Sequence, residues 1–177
     1  MSVVSQRVYI FSGTLRDNLI LAQPASEVPS FSTYAEKKAV QDLNDIKLLS
    51  VLDKVGLSTL TQGNNPFDAW LGEGGRQLSG GEQRRIGVAR AILHNAPILL
   101  LDEPTEGLDK RTEREILRLL FEFAQNKTLV MISHRLTAMS KMDKIYLMEA
   151  GKLRNSGSHK ALMESDSYYK SLHKQLV

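Results

Sequence analysis

Two short segments carry the chemistry-bearing residues of this 177-residue chain: Leu78-Ser79-Gly80-Gly81-Glu82-Gln83, and the apolar run Leu99-Leu100-Leu101 that ends in Asp102-Glu103 before Pro104. Ser79 and Glu82 have the spacing of a capping box, in which the serine oxygen accepts from the Glu82 backbone and the glutamate reaches back. Capping explains the ends of the motif and leaves the glycines unexplained, because a glycine inside a helix costs about 1 kcal/mol relative to alanine. Bare backbone at a helix start makes sense where an anion approaches the exposed N–H groups closely. The acid pair follows a buried-type strand, the place where α/β folds put ligands. A turn before Pro104 needs no adjacent carboxylates. Phosphate chemistry does use two, one to hold a hydrated divalent cation and one to orient a water.

Three further polar residues fall at element ends. Gln6 lies between the apolar pairs Val3-Val4 and Val8 to Phe11 and reads as a turn between strand edges. His134 follows the apolar stretch Thr128 to Ile132, where a lone histidine is more often structural. Asp109 has the position of an N-cap for a helix from Lys110. No G-x-x-x-x-G-K-[ST] loop, the element that cradles phosphates and supplies a lysine to neutralise them, occurs in the 177 residues.

The elements that must position these residues are legible from periodicity. Thr14 to Ala22 and Ala35 to Val55 repeat apolar residues at three- and four-residue spacing (Leu43, Ile46, Leu49, Leu52, Val55), which predicts amphipathic helices. Pro24 and Pro29 break the stretch between them. Residues 58–77 read as a polar, glycine-rich loop leading to a helix from Ser79 to about Asn95, with Ile86, Val88, Ala89, Ile92 and Leu93 inward. After Pro97, strands at 98–102, 128–132 and 144–149 alternate with helices at 110–125 and 136–141, which predicts parallel strands covered on both faces. Ala150-Gly151 reads as a hairpin turn, and helices close the chain around Ala161 and from Tyr168 to Leu176.

Composition bounds the function classes. With 42% apolar and 24% charged residues, one globular domain is expected. The longest apolar runs fall far below the roughly 20 residues of a membrane span, so membrane association has to come through a partner. Zero cysteine excludes disulfides and thiolate metal sites. The 23 basic and 20 acidic residues are interspersed, so no nucleic-acid footprint is expected.

Taken together, the Ser79 and Asp102 motifs resemble the nucleotide-binding domain of ATP-binding-cassette (ABC) proteins, from Gln6 to about Leu176. The resemblance implies an α/β, P-loop NTPase-like (RecA-like) fold with a mainly parallel sheet and an inserted helical subdomain. Residues 1–19 and 96–177 would form the core and 20–95 the helical subdomain. It also implies that the chain corresponds to the C-terminal three-quarters of such a domain, without the phosphate-loop strand and helix, Met1 being an internal or truncated start.

By the same resemblance ATP and Mg²⁺ are the cofactors. Ser79, Gly80, Gly81, Glu82 and Gln83 form the signature motif, which closes over the γ-phosphate held by a second nucleotide-binding domain. Asp102 is a Mg²⁺-water ligand, Glu103 the general base, His134 the switch histidine, and Gln6 the Mg²⁺ and water sensor that couples to transmembrane domains. Thr105 to Asp109 matches the loop that crosses the domain interface. Trp70-Leu71-Gly72-Glu73-Gly74-Gly75-Arg76-Gln77 resembles exporters, above all the bacterial heterodimeric cysteine/glutathione exporters needed for cytochrome bd assembly. Many exporters carry glutamate where this chain has Trp70, leaving a buried core tryptophan and a partner contact as the two readings. The implied place is the cytoplasmic face of the inner membrane, with the fragment itself soluble.

Two other classes compete. ABC ATPases of DNA repair and chromosomes carry a coiled coil or zinc module between glutamine loop and signature, whereas here 72 residues without cysteine separate them. A non-enzymatic remnant or interaction module differs only by the missing phosphate loop. Without that loop the chain alone is expected to be inactive, with exposed strand edges that invite self-association.

Overall fold

The computed structural model describes residues 1–21, 34–63, 65–134 and 136–176. The elements begin with β1 (Ser2–Val4), β2 (Gly13–Thr14), α1 (Leu15–Ile20), α2 (Tyr34–Lys54), a 3-10 turn (Ser58–Thr61) and β3 (Trp70–Leu71). They continue with α3 (Gly80–His94), β4 (Ile98–Asp102), α4 (Lys110–Phe123), β5 (Thr128–Ile132) and α5 (Leu136–Met139). The last are β6 (Ile145–Glu149), β7 (Lys152–Gly157), α6 (His159–Ser165) and α7 (Ser167–Leu176). The strands at 98–102 and 128–132 coincide with their sequence-based bounds. The break at Pro24 and Pro29 lies outside the described residues.

The chain forms two compact units, Met1–Ile132 and the part from Ser133 onward. In the first, β1, β4 and β5 form a parallel sheet in the order β1-β4-β5, with Val3, Leu100 and Val130 in one register row. Val4 and Leu101 face a core shared with Ile86, Val88 and Ala89 of α3 and Ile116 and Leu120 of α4. Side chains alternate across a strand, so Val3, Ile98, Val130 and Ile132 point the other way, and they are 42–56% exposed. Where the sequence predicts cover on both faces, the described helices α3 and α4 of this unit both pack on the face that carries Val4 and Leu101.

Two further expectations change. Residues 8–11 form no strand; instead the Phe11 backbone bonds the buried Asn18 side chain through both N–H and C=O, at 3.0 and 2.9 Å. In α2 and the residue just after it the buried set is Leu48, Val51, Leu52 and Val55, whereas Leu43, Ile46 and Leu49 are exposed. At 3.6 residues per turn, a row spaced strictly by three slips about 60° per step and winds off any one face. The buried set mixes three- and four-residue spacing and stays within one stripe.

The loop at 58–77 contains β3, which pairs antiparallel with β2. This pairing brings Trp70 opposite Thr14 at the end of the glutamine loop. Trp70 is 50% exposed and its Nε1 donates to the Glu73 carbonyl at 3.1 Å, so it is no core residue.

In the second unit, β6 and β7 form an antiparallel hairpin. Its turn holds Ala150 and Gly151 at φ 48° and 74°, the left-handed pair that two-residue hairpins favour. Ile145, Leu147, Leu162 and Tyr169 form its core. Asp166 accepts from the Tyr169 backbone at 2.9 Å and from Asn155 at 3.0 Å.

Candidate functional site

The start of α3 is built as the sequence predicts. Ser79 is its N-cap: the serine oxygen accepts from the Glu82 N–H at 3.2 Å, and the Glu82 carboxylate accepts from the Ser79 N–H at 2.8 Å. Arg76 donates to the same carboxylate at 2.8 Å. Burial raises the Glu82 carboxyl, but the Ser79 hydrogen bonds and the charges of Arg76 and Arg85 outweigh it, and the group lies below the usual glutamate range. A carboxyl depressed in the folded state stabilises fully above its unfolded pKa and loses that contribution as pH falls through the folded value. Glu82→Gln is thus expected to flatten the acid side of the stability curve, read as melts between neutral pH and about pH 3, below the ordinary glutamate pKa. Equal acid sensitivity in both proteins would rule this out.

The glycines have separate uses. A Cβ built on Gly80 meets no atom within 4 Å, so the backbone there is open. One on Gly81 would lie 3.3 Å from Leu108 Cδ2, so that glycine admits the loop after β4. Further along, Gly87 would bring a Cβ within 2.6 Å of Val8 Cγ2, and its bareness seats the glutamine loop on α3. Arg90, one turn on, locks the same loop by donating to the Tyr9 carbonyl at 2.8 Å and to Asn18 O and Oδ1 at 2.7 and 2.9 Å. Burial lowers its pKa.

Asp102 ends β4 opposite Ile132 of β5 and is half-buried. Glu103 follows at φ 47°. A non-glycine residue in that left-handed region costs of order 1–3 kcal/mol and persists only where its surroundings impose it. Here they do so by three bonds: the Glu103 N–H donates to Ile132 O at 3.0 Å, and its carbonyl accepts from Arg84 Nη1 at 2.8 Å and from the Glu106 N–H at 3.2 Å.

A cavity of about 430 Å³ gathers Gln6, Tyr9, Gly80, Gln83 and Arg84 around the glutamine loop and the start of α3. Gln6 Nε2 donates at 3.0 Å to Glu106, which does not line the cavity, and Gln83 Nε2 donates to the Leu78 carbonyl at 3.1 Å. Ser79, Gly81, Glu82, Asp102, Glu103 and Asp109 are not among its lining residues. Asp109 caps α4, accepting from the Arg111 and Thr112 N–H groups at 3.0 Å and the Thr112 hydroxyl at 2.6 Å. The Thr112 bonds hold its carboxyl below the usual range. His134 belongs to the second unit, where its side chain is exposed. Arg84 and Glu106 are the residues that sequence reasoning missed. Only the position of Arg84 one turn beyond Gly80 hinted at the first, and Glu106 lies within the Thr105 to Asp109 match without a role of its own there.

Among the described residues no three His, Asp or Glu side chains form a metal cage. Magnesium is commonly bound by one or two carboxylates together with phosphate oxygens and water, and Asp102 at the strand end and the Gln6 carbonyl oxygen fit that donor chemistry. No described helix is long and apolar enough to cross a membrane.

The model of the family described as ABC transporter matches residues 1–106. The glutathione/L-cysteine transport system ATP-binding/permease protein CydC of Escherichia coli (strain K12) is 46% identical over 169 residues, covering 96% of this chain and 26% of that protein. The ATP-dependent lipid A-core flippase of Haemophilus influenzae (strain 86-028NP) is 36% identical over 172 residues, covering 97% and 27%. The chain thus spans about a quarter of the length of the curated relatives it matches. A solved bacterial Atm1-family ABC exporter with ATP bound superposes at a TM-score of 0.77 and 27% identity, covering 98% of this chain and 28% of that one. The mixed α/β fold with its parallel sheet is that of the ABC ATPases within the P-loop NTPase class. The chain belongs to the ABC transporter family.

Proposed function

We propose that this chain is part of the ATP-binding and ATP-hydrolysing module of an ABC exporter and supplies the signature half of a shared nucleotide site. The observation that carries the reading is the junction of the open, capped start of α3 with the acid pair after β4, through the Arg84 bond to the Glu103 carbonyl. Open N–H groups at a helix N-terminus favour an anion, and Ser79, Gly80 and Gly81 would hold the γ-phosphate bound to a second nucleotide-binding domain. Glu82 and Gln83 shape that helix start, and Asp109 would sit at the domain interface. Mg²⁺, when bound, would neutralise phosphate charge. Asp102 and Gln6 would hold it through oxygen and water, Glu103 would take the proton of the attacking water, and His134 would contact the γ-phosphate.

Residues 1–19 and 96–177 would form the core part of the module and 20–95 its helical subdomain. The exposed aromatic residues Tyr9, Phe11 and Trp70 lie on or beside the glutamine loop. That exposure favours the reading of Trp70 as a contact to transmembrane domains. Export of cysteine or glutathione at the cytoplasmic face of the inner membrane is the substrate and place that the likeness to the E. coli protein supports.

The test is nucleotide-dependent assembly. The 177-residue polypeptide alone is expected to bind Mg-ATP weakly in titration calorimetry, because it contains no lysine-bearing phosphate loop. Mixed with a homologous domain that has one, it should associate when Mg-ATP is added, and Gly80→Glu should abolish that association by setting a carboxylate against phosphate. Micromolar ATP affinity of the chain alone, or assembly indifferent to ATP and to Gly80→Glu, would overturn the reading.

A further inference from the structure

Glu106 has no role in the reading above, yet it lies between two residues that do. Its carboxylate accepts from Gln6 Nε2 at 3.0 Å and faces Arg84 Nη1 at 3.6 Å. The same arginine nitrogen donates to the Glu103 carbonyl at 2.8 Å, and the Glu106 N–H donates to that carbonyl at 3.2 Å. From this chain of contacts we infer that Glu106 and Arg84 are positioning residues that couple the placement of Gln6 to the backbone hold on Glu103. The inference rests on the roles proposed for Gln6 and Glu103.

The direction of the coupling follows from competition for one guanidinium. The Arg84 side chain is only 15% exposed, so its charge depends on protein partners. At 2.8 Å its hydrogen bond goes to the Glu103 carbonyl, while the 3.6 Å separation from Glu106 is beyond a hydrogen bond. Gln6 occupies the Glu106 carboxylate in the meantime. When Gln6 turns its amide elsewhere, the carboxylate loses a donor and attracts Arg84, because hydrogen bonds between ionised groups are stronger than those to a neutral carbonyl. Arg84 then leaves Glu103, whose left-handed backbone loses a restraint. Gln6 parked on Glu106 holds the acid still, and Gln6 engaged elsewhere frees it.

Hydrogen–deuterium exchange of the 177-residue chain, without nucleotide or metal, tests this in the peptide spanning 103–109, whose Glu106 and Leu108 amides close the turn. Gln6→Ala is expected to speed exchange there about fivefold, the weight of one hydrogen bond. In a Glu106→Gln background, where no carboxylate competes for Arg84, the same change should act by less than about twofold. Arg84→Lys, which keeps charge and loses the planar fork, should speed exchange with or without Gln6. Unchanged exchange in β4 and in the core stretch of α4 around Ile116 and Leu120, within the same unit, identifies folded variants. An effect of Gln6→Ala that is nil in the otherwise natural chain, or equal in both backgrounds, overturns the coupling. Because no ATP enters the measurement, a failure here leaves the ATPase reading standing, and a failure of assembly with ATP leaves this coupling standing.

Discussion

Glu103→Gln is expected to cut ATP turnover by about 10²- to 10⁴-fold, the usual contribution of a general base, while nucleotide binding survives. The assay needs the chain joined to a phosphate loop and to the transmembrane domains proposed above, since the 177 residues contain no such loop. Glutamine keeps the size of the side chain and can hydrogen-bond a water, but it cannot take a proton. The backbone should not move, because the hold on residue 103 is made by main-chain atoms: its N–H on Ile132 and its carbonyl on Arg84 and the Glu106 N–H. Steady-state hydrolysis alongside equilibrium ATP binding checks the two halves of the expectation. Undiminished hydrolysis would remove Glu103 from the role of base and make His134 the next candidate. Joint loss of binding and turnover would mean that the side chain holds nucleotide rather than activating water.

The 177-residue chain by itself is expected to self-associate through the bare face of its parallel sheet. Parallel sheets are almost always covered on both faces, and here Val3, Ile98, Val130 and Ile132 stand exposed on one. Among the described residues β1 and β5 are its edges, and unpaired edges of apolar strands recruit other chains. Such contacts would differ from the proposed assembly with ATP, which would use the start of α3. Sedimentation velocity should show mass rising with concentration, and Val130→Lys with Ile132→Lys should suppress it, since two charges on that face oppose burial. A monomer with a cooperative melt at tens of micromolar, a range where exposed apolar surface ordinarily drives association, would mean that this face is satisfied some other way.

Local signals were read well wherever short-range chemistry decides. Ser79 and Glu82 specify a helix start by their own hydrogen bonds, Asp109 does so for α4, and Ala150-Gly151 closes its hairpin at the two residues the turn needs. The apolar runs at 98–102 and 128–132 became strands with those bounds because five consecutive apolar or strand-end residues have no other inexpensive arrangement beside α3 and α4. The motifs at Ser79 and Asp102 also carried the resemblance to the ABC family, to which the chain belongs.

Other features depend on contacts between segments distant in the chain. Whether α2 buries Leu43 or Leu48 depends on what faces it, and hydrophobicity alone scores both rows alike. Trp70 is held at the surface by the pairing of β3 with β2, an association of two-residue strands too short for any periodicity to announce. Among the described residues of the first unit α3 and α4 pack on the same face of the sheet, which alternation of strands and helices does not specify. Arg84 and Glu106 acquired their meaning from Gln6, 100 residues from Glu106, and from a carbonyl at Glu103 that no side-chain pattern encodes. Sequence determines which groups are present and how each segment folds locally; the meeting of a guanidinium, a carboxylate and a strained backbone oxygen is set by how the segments pack.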